Sequence, residues 1–587
     1  MTEYIPSSWN LGDLFPGLKS NEIDQSFKLI EEKAEEFKNY RDKLSSNMDL
    51  HDFTHLLKIR EKTSRLAGRI GQFAGLSFSE NTQNQEAQTF QAKVQGFMAK
   101  IQNDIMFFDL WFKELSDDEA RRFLDSAGEF EHFLTEIRKF KPFTLSEAEE
   151  RIINTKNVTG VTSIRRLYST LTNKYKFNVE VNGELKKMSR GELMSLVEST
   201  DPDLRARAYQ ELYKLFGEDG SLLGQMYQSI VKDFGNEKID MRGYSTPISW
   251  RNLNNGIPDT AINTLLEVSK ENTEIFQRYF KLKAKLLRMD KLRRYDIYAP
   301  VSDTSKEYDY DYAVKLVLNS FVEFNPKVGN LARRIFDEKH IDSEVRPNKR
   351  SGAFCSSADP AISPFVHVSY NKKVSDITTL AHELGHAIHA MLAEHHNVFD
   401  FHSTLPLAET ASTFSELLLV DKLLEEESDE DVIKNILFQQ ISDSYATIMR
   451  QIFFALFEIE AHSMIKNDAS VEELNTAYMK NLSLHFGDSV EISDEFKWEW
   501  VSIPHIYTYP FYVYAYSFGK LLVLSLYKQF KKEGQSFIPS YLEILSSGGS
   551  ASPIDILEKA GVDIHKPEFW QGGFDVISEQ ISQLEKL

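Results

Sequence analysis

A single cysteine, Cys355, stands in 587 residues, so no disulfide can form within the chain. The fold must then be held by burial, which suits a reducing compartment, and Cys355 itself is expected to behave as a small buried apolar side chain. No apolar run approaches the roughly 18 residues that a membrane-crossing helix needs. The opening Met1-Thr2-Glu3-Tyr4-Ile5-Pro6 has neither the basic nor the apolar region of a secretory signal, and the expected location is the cytoplasm. Cations are in the minority: 68 Lys and Arg face 88 Asp and Glu, a formal net charge of −20. Phosphate recognition needs clustered Lys and Arg, so nucleic acid is not an expected partner, and without a long apolar run neither is a membrane. Internal repeats, low-complexity tracts and long linkers are also missing, which favours one integrated molecule.

What is present is mostly helical pattern. A chain of this length buries a large core and is expected to fold as more than one lobe. Charged amphipathic helices are predicted over residues 22–44, 51–74, 82–110 and 117–134, with Phe27, Ile30, Ala34 and Phe37 marking one buried side. The texture changes at Tyr175, Phe177, Val179 and Val181, which alternate up to Asn182-Gly183, a strong hairpin signal. Helices resume over 192–236, and a loop-rich stretch holding Gly243, Trp250, Arg251 and Gly256 follows. A strand is predicted over 294–301 and helix over 308–338. Short strand-like runs at 341–345, 351–355 and 365–371 then make a small sheet. Helices are again expected over 429–466 and 471–486. The division expected from this order is an N-terminal helical region, 1–200, with its hairpin near 175–188, and a catalytic region, 201–587.

The chemistry is concentrated immediately after the small sheet, in His382-Glu383-Leu384-Gly385-His386. Ser375 or Asp376 can cap a helix there, and Ile377, Leu380, Leu384, Ile388 and Met391 form one apolar stripe at helical spacing. At about 100° per residue His382, His386 and His389 lie opposite that stripe. One face therefore anchors the helix and the other looks into a cleft. Histidines four residues apart point the same way and suit Zn²⁺, whose bond to an imidazole nitrogen is about 2.0–2.1 Å. Zinc lowers the pKa of a coordinated water towards about 7, and Glu383, adjacent but not a ligand, is placed to take that proton and later hand it to a leaving amine.

A catalytic zinc site commonly has three protein ligands and one open position. Glu409 is the best third ligand. A second helix is predicted to start at Ser403 or Thr404 with Pro406 in its first turn, so Glu409, Ser412 and Glu416 share a face at i, i+3 and i+7. Glu416 is either a carboxylate that orients a ligand histidine or a solvated helix position. Upstream, Gly352, Ala353 and Phe354 are candidates for a sheet edge on which an extended peptide adds as a further strand, with an ordinary buried strand as the competing reading.

Downstream, the run from Pro504 to Gly519 is dense in tyrosine. If a helix begins near Pro510, Tyr512 and Tyr516 share a face and Tyr509 lies just ahead. Tyrosine hydroxyls and imidazolium can donate hydrogen bonds to a developing oxyanion; packing in an aromatic core is the alternative for any one of them.

At these residues the sequence resembles the thimet-oligopeptidase-like metallopeptidases, in particular the bacterial oligoendopeptidase F branch. The likeness is carried by His382-Glu383-Leu384-Gly385-His386-Ala387-Ile388-His389 and Glu409-Thr410-Ala411-Ser412. It extends to Trp9-Asn10-Leu11-Gly12-Asp13-Leu14-Phe15-Pro16-Gly17, to Met241-Arg242-Gly243-Tyr244 and to the stretch from Ile503 to Gly519, and so covers nearly the whole chain. The resemblance implies a mainly α, two-lobed helical metallopeptidase with a deep channel and a small β-sheet beside the HExxH helix. It implies one Zn²⁺ per chain, internal cleavage of short unfolded peptides, and contact of His505, Tyr509 and Tyr516 with substrate and the tetrahedral intermediate. The spacing from His505 to Tyr509 is one residue shorter than in the thimet branch, which keeps Tyr512 as a further substrate-binding candidate.

Two other readings share these residues. A zinc carboxypeptidase or dipeptidyl carboxypeptidase would use the same site with a charged subsite for the peptide terminus. A non-catalytic peptide-binding helical protein would hold the metal structurally, although a purely structural site has no need of the base Glu383.

Overall fold

The computed structural model describes residues 3–301 and 306–587. Helices dominate it, as the sequence pattern predicts, with three small sheets. The chain divides into two compact units that are each discontinuous in sequence. The first comprises Met1–Pro142, Lys306–Glu426 and Phe530–Val562; the second comprises Phe143–Ser305, Glu427–Gln529 and Asp563–Leu587. No described helix is long and apolar enough to cross a membrane.

In the first unit, helices Asn21–Lys38, Leu50–Glu80 and Gln85–Ile105 form an N-terminal bundle. Asp49 and Asn84 cap the latter two, each accepting two backbone N–H groups of the first turn. Phe27, Ile30 and Ala34 lie on the predicted side and meet Ile70, Phe73 and Phe90 in one core that extends to Phe365. The helix predicted over 117–134 is instead two, Asp117–Leu124 and Glu131–Lys139, because Gly128 between them takes a left-handed conformation (φ 55°).

The small sheet has three strands in the order Ile341–Asp342, Phe365–His367, Phe354–Ser356. The first pair is parallel and the second antiparallel, with Phe354 opposite His367 and Ser356 opposite Phe365. All three strands are shorter than their sequence runs suggest. Trp9, from the N-terminal segment noted above, is buried against this sheet, its ring 5.3 Å from His367, 6.3 Å from Phe354 and 6.4 Å from Phe365. The HExxH helix, Val374–Leu392, lies on the sheet and on helices Tyr310–Phe324 and Pro326–Asp337.

In the second unit the hairpin is where the sequence places it, Phe177–Val181 against Glu184–Met188, with Asn182 (φ 55°) and Gly183 (φ 80°) supplying the paired left-handed turn. The strand predicted over 294–301 is not formed. Only Leu292–Arg293 pairs, in parallel with Val490–Glu491, and a 3₁₀ turn follows at Arg294–Asp296. The turn aims the buried Asp296 carboxylate at Arg205 (2.8 Å) and Arg293 (2.7 Å), and a buried carboxylate must be paired. The helix over 429–466 is found as Glu430–Ser444 and Arg450–Lys466 joined by a π segment, Tyr445–Met449. The helix expected from Pro510 begins at Tyr514. Phe511 has φ 56°, and its N–H donates to the buried Glu458 carboxylate at 2.9 Å instead of entering a helical ladder.

Ile377, Leu380, Leu384, Ile388 and Met391 are all buried, so the stripe is the face by which the HExxH helix is held. Replacing Leu384, which sits between the two histidines and is fully buried, by Ala is expected to lower stability by about 2–5 kcal/mol, as measured by chemical denaturation. A cost below about 1 kcal/mol would show that the helix is anchored elsewhere.

Candidate metal centre

The HExxH helix starts at Val374, and Asp376 is in its first turn rather than at the cap. Its Oδ2 accepts the N–H groups of Asn371 (2.7 Å) and Lys373 (3.0 Å), which fixes the entry of the chain. His382 and His386 lie half-buried on the face away from the stripe, with their rings 4.9 Å apart and nearly perpendicular. His389 is buried one turn further on; burial pushes its pKa down to about 4 and it bonds to the Ala408 backbone, so it is a neutral packing residue.

The acidic partner is brought in by an unusually close helix contact. A Cβ built on Gly385 would lie 2.5 Å from Ser412 Cα and 2.7 Å from the Ala411 carbonyl oxygen. Only glycine lets the two backbones approach this far. The second helix is interrupted: a turn, Leu405–Ala408, opens after Thr404 with Pro406 in place as predicted, Glu409 (φ −88°, ψ 4°) breaks the run, and Thr410–Glu426 continues. The break leaves the Glu409 side chain to be held by Ser412, whose hydroxyl donates to Glu409 Oε2 at 2.7 Å.

His382 Nε2 and His386 Nε2 stand 3.3 and 3.4 Å from Glu409 Oε2. Two ligand atoms each about 2.0–2.1 Å from a tetrahedral zinc lie about 3.3 Å apart, so these residues fit zinc in both donor type and spacing. His382 Nδ1 bonds to Glu416 Oε1, which turns Nε2 towards Glu409. Of the two readings of Glu416, the structure thus realises the bonded one. Burial opposes charge on His382, but its bonds to Glu409 and Glu416 prevail and push its pKa up to about 10. Burial likewise opposes charge on Glu409, and the two imidazoles hold its carboxyl far below the usual range. Glu383 is buried on the same helix. Burial raises its pKa, and Oε2 has no hydrogen-bond partner among the described residues, the condition of a carboxylate awaiting a proton or a ligand.

A cavity of about 540 Å³ opens over these groups. Its walls include His382, Glu383, His386, Glu409 and the strand residues Ala353, Phe354, Cys355 and Ser356. Among the described residues Phe354–Ser356 is an edge strand, paired on one side only, so an edge strand and the candidate ligands line one cavity. Gly352 (φ 87°) lies in the turn leading into that strand and outside the lining. Cys355 is half-buried and lines the cavity, not fully buried as its chemistry alone suggested.

His505, Tyr509, Tyr512 and Tyr516 belong to the second unit, where they form a cluster of their own. His505 lies 6.3 Å from Tyr512 and 6.2 Å from Tyr516, and Tyr512 lies 5.3 Å from Tyr516 and 6.0 Å from Tyr509, centroid to centroid. The tyrosine-rich run separates into two groups. Tyr507 and Tyr514 are buried, bonded to the Leu223 carbonyl and the Asn255 amide, whereas Tyr509 and Tyr516 are 57% and 40% exposed. Arg251 stacks over Trp250 and Tyr512 and donates to the Pro510 carbonyl, tying the loop-rich stretch to this cluster. Burial, with help from Arg450, lowers the proton affinity of His505.

The packing role of Gly385 is what sequence reasoning passed over. A glycine in mid-helix, which weakens the helix unless a backbone must come close, is the signal that marks it.

A mainly helical fold with two histidines and a glutamate converging beside a buried free carboxylate defines a metallopeptidase. The chain belongs to peptidase family M3, whose family profile matches residues 195–576; residues 111–177 match the profile described as Oligopeptidase F. It is 26% identical to the oligopeptidase PepF of Bacillus subtilis over 99% of this chain and 87% of that one. It is 28% identical to an oligoendopeptidase F homolog of Borreliella burgdorferi over 99% and 98%. Among solved structures, a Chlamydophila abortus chain superposes with a TM-score of 0.88 at 23% identity, covering 99% of this chain and 98% of that one. The oligoendopeptidase-F of Enterococcus faecium superposes with 0.71 at 24%, covering 96% and 98%.

Two substitutions test how the centre is assembled. Gly385→Ala should force the helices apart and lower both the melting temperature and zinc affinity, read by calorimetry and titration. Unchanged values in both would remove the close approach from the account. Glu416→Ala is expected to weaken zinc binding by about 10–100-fold, the usual cost of losing a carboxylate behind a ligand histidine. Unaltered affinity in a competition titration would make that contact incidental.

Proposed function

We propose that this chain is a zinc-dependent endopeptidase that hydrolyses internal bonds of short, unfolded peptides. The observation that carries the reading is the convergence of His382 Nε2, His386 Nε2 and Glu409 Oε2 at the spacing of tetrahedral zinc ligands, beside the unpartnered Glu383 carboxylate. The restriction to short peptides is supported by the relatives named oligopeptidase and oligoendopeptidase.

In this reading His382, His386 and Glu409 hold one Zn²⁺, with Glu416 fixing the His382 ring. Zinc, when bound, polarises a scissile carbonyl and makes hydroxide available at neutral pH. Glu383 is the general base: its buried Oε2, already biased towards binding a proton, takes one during attack and delivers it to the departing amine. Gly352, Ala353 and Phe354 lead into the edge strand on which an extended peptide adds by backbone pairing, a mode that tolerates many side chains. His505, with Tyr509 and Tyr516, is assigned donation to the oxyanion and Tyr512 contact with substrate, on the strength of the family resemblance and the exposure of their cluster. Residues 201–587 would then hold every group that performs chemistry.

The test is a quenched peptide of about ten residues, blocked at both ends, assayed before chelation, after it, and with zinc restored. Internal cleavage that is lost and then regained is expected. Glu383→Gln should keep zinc bound while reducing kcat by about 10²–10⁴-fold. Cleavage only of peptides with a free terminus would convert the reading to an exopeptidase, and near-normal turnover by Glu383→Gln would remove the proposed mechanism.

A further inference from the structure

Tyr509, Pro510, Phe511 and Tyr512 make a tight turn in the second unit. Tyr512 N–H donates to the Tyr509 carbonyl at 3.1 Å, Pro510 is the second residue and Phe511, with φ 56°, the third. Proline followed by a residue of positive φ is the pattern of a type II turn, whose third place suits glycine or asparagine. Phenylalanine there is strained. The strain has a simple exit. Type I and type II turns differ by a rotation of about 150–170° of the central peptide group, so a flip to type I would return Phe511 to negative φ and keep the Tyr509–Tyr512 bond.

The central peptide group joins Pro510 to Phe511, and it is held at both ends. Its oxygen accepts from Arg251 Nε at 3.1 Å, and its N–H donates to Glu458 Oε1 at 2.9 Å. Arg251 belongs to helix Pro247–Asn255 and Glu458 to helix Arg450–Lys466, so two separate elements close on one peptide bond. A flip would break both hydrogen bonds at once. The Phe511 ring is fixed as well, fully buried against His462, one helical turn beyond Glu458, and against Phe234, with centroids 4.6 and 6.2 Å away.

We propose that Glu458 and Arg251 are positioning residues for peptide hydrolysis: by gripping the Pro510–Phe511 peptide group they keep the turn in its type II form and so fix Tyr509 and Tyr512 relative to His505 and Tyr516. The inference rests on the reading that this cluster meets the substrate, and it gives the two side chains a role exerted only through the tyrosines. Glu458 is fully buried, and burial pushes its pKa up to about 8 against the pull of the Phe511 N–H and of Arg251. Its carboxyl is therefore largely uncharged at neutral pH, and glutamine is its close isostere.

The test is kcat/KM of the full-length, zinc-loaded protein on the doubly blocked peptide, in a mutant cycle. A variant carrying Tyr509→Phe and Tyr512→Phe first measures what the two hydroxyls contribute. Glu458→Met keeps the bulk and removes the acceptor. It is expected to lower kcat/KM by about tenfold or more, since loss of one oxyanion donor costs about 10²–10³. With both tyrosines already replaced, the same change should cost less than about twofold, because the two effects are coupled; a merely structural role would cost the same in either background. Glu458→Gln, which still offers an oxygen to Phe511 N–H, should stay within about threefold of the parent protein. Should Glu458→Met not fold, Arg251→Met, at a half-buried position, carries the same cycle. Equal losses in the two backgrounds, an unimpaired Glu458→Met, or a glutamine variant as poor as the methionine one would each overturn the proposal and leave the reading of the cluster in place. Unaltered kcat/KM in the double phenylalanine variant would overturn both.

Discussion

Everything at the centre depends on how closely two helix backbones approach at Gly385. A helix pair separated by ordinary side chains would leave Glu409 and Glu416 out of reach of the histidines. Here the missing Cβ lets Ala411 and Ser412 sit against the HExxH helix, and the two carboxylates arrive on either side of His382. Sequence position explains the pairing: Gly385 lies between the histidines, so the point of contact is also the level of His382 and His386. Support comes from beneath. The stripe from Ile377 to Met391 seats the helix, and the sheet under it is itself backed by Trp9 and by the core that includes Phe365.

The electrostatics follow from that packing. Three carboxylates and two imidazoles gathered in a partly buried space cannot all keep ordinary proton affinities. Burial, with the Glu409 and Glu416 carboxylates, raises Glu383 against the pull of the two imidazoles, whereas the same imidazoles, bonded to Glu409, hold Glu409 strongly down. Two glutamates on neighbouring segments therefore take opposite roles, one ionised and suited to a cation, the other disposed to bind a proton. The residues of the edge strand Phe354–Ser356 line the same hollow as His382, His386 and Glu409.

Much of this was legible in the sequence, for a definite reason. Features governed by local periodicity could be read directly: the buried stripe, the shared face of His382 and His386, the Asn182-Gly183 hairpin and the small sheet ahead of the motif. Features set by a distant partner could not. The turn at Arg294–Asp296 replaces an expected strand because Asp296 meets Arg205, 91 residues away. The helix after Pro510 starts late because Phe511 N–H is claimed by Glu458. Glu409 was recognisable by type and spacing, but not the break in helix that frees it or the glycine contact that delivers it, since both belong to the meeting of two segments.

The most direct measurement of the central claim is anomalous diffraction at the zinc edge from the zinc-loaded protein. The account predicts one strong peak bonded to His382 Nε2, His386 Nε2 and the Glu409 carboxylate, with His382 Nδ1 still on Glu416 and the helix contact at Gly385 unchanged. Zinc bound elsewhere, or bound here only after the two helices have moved apart, would contradict it.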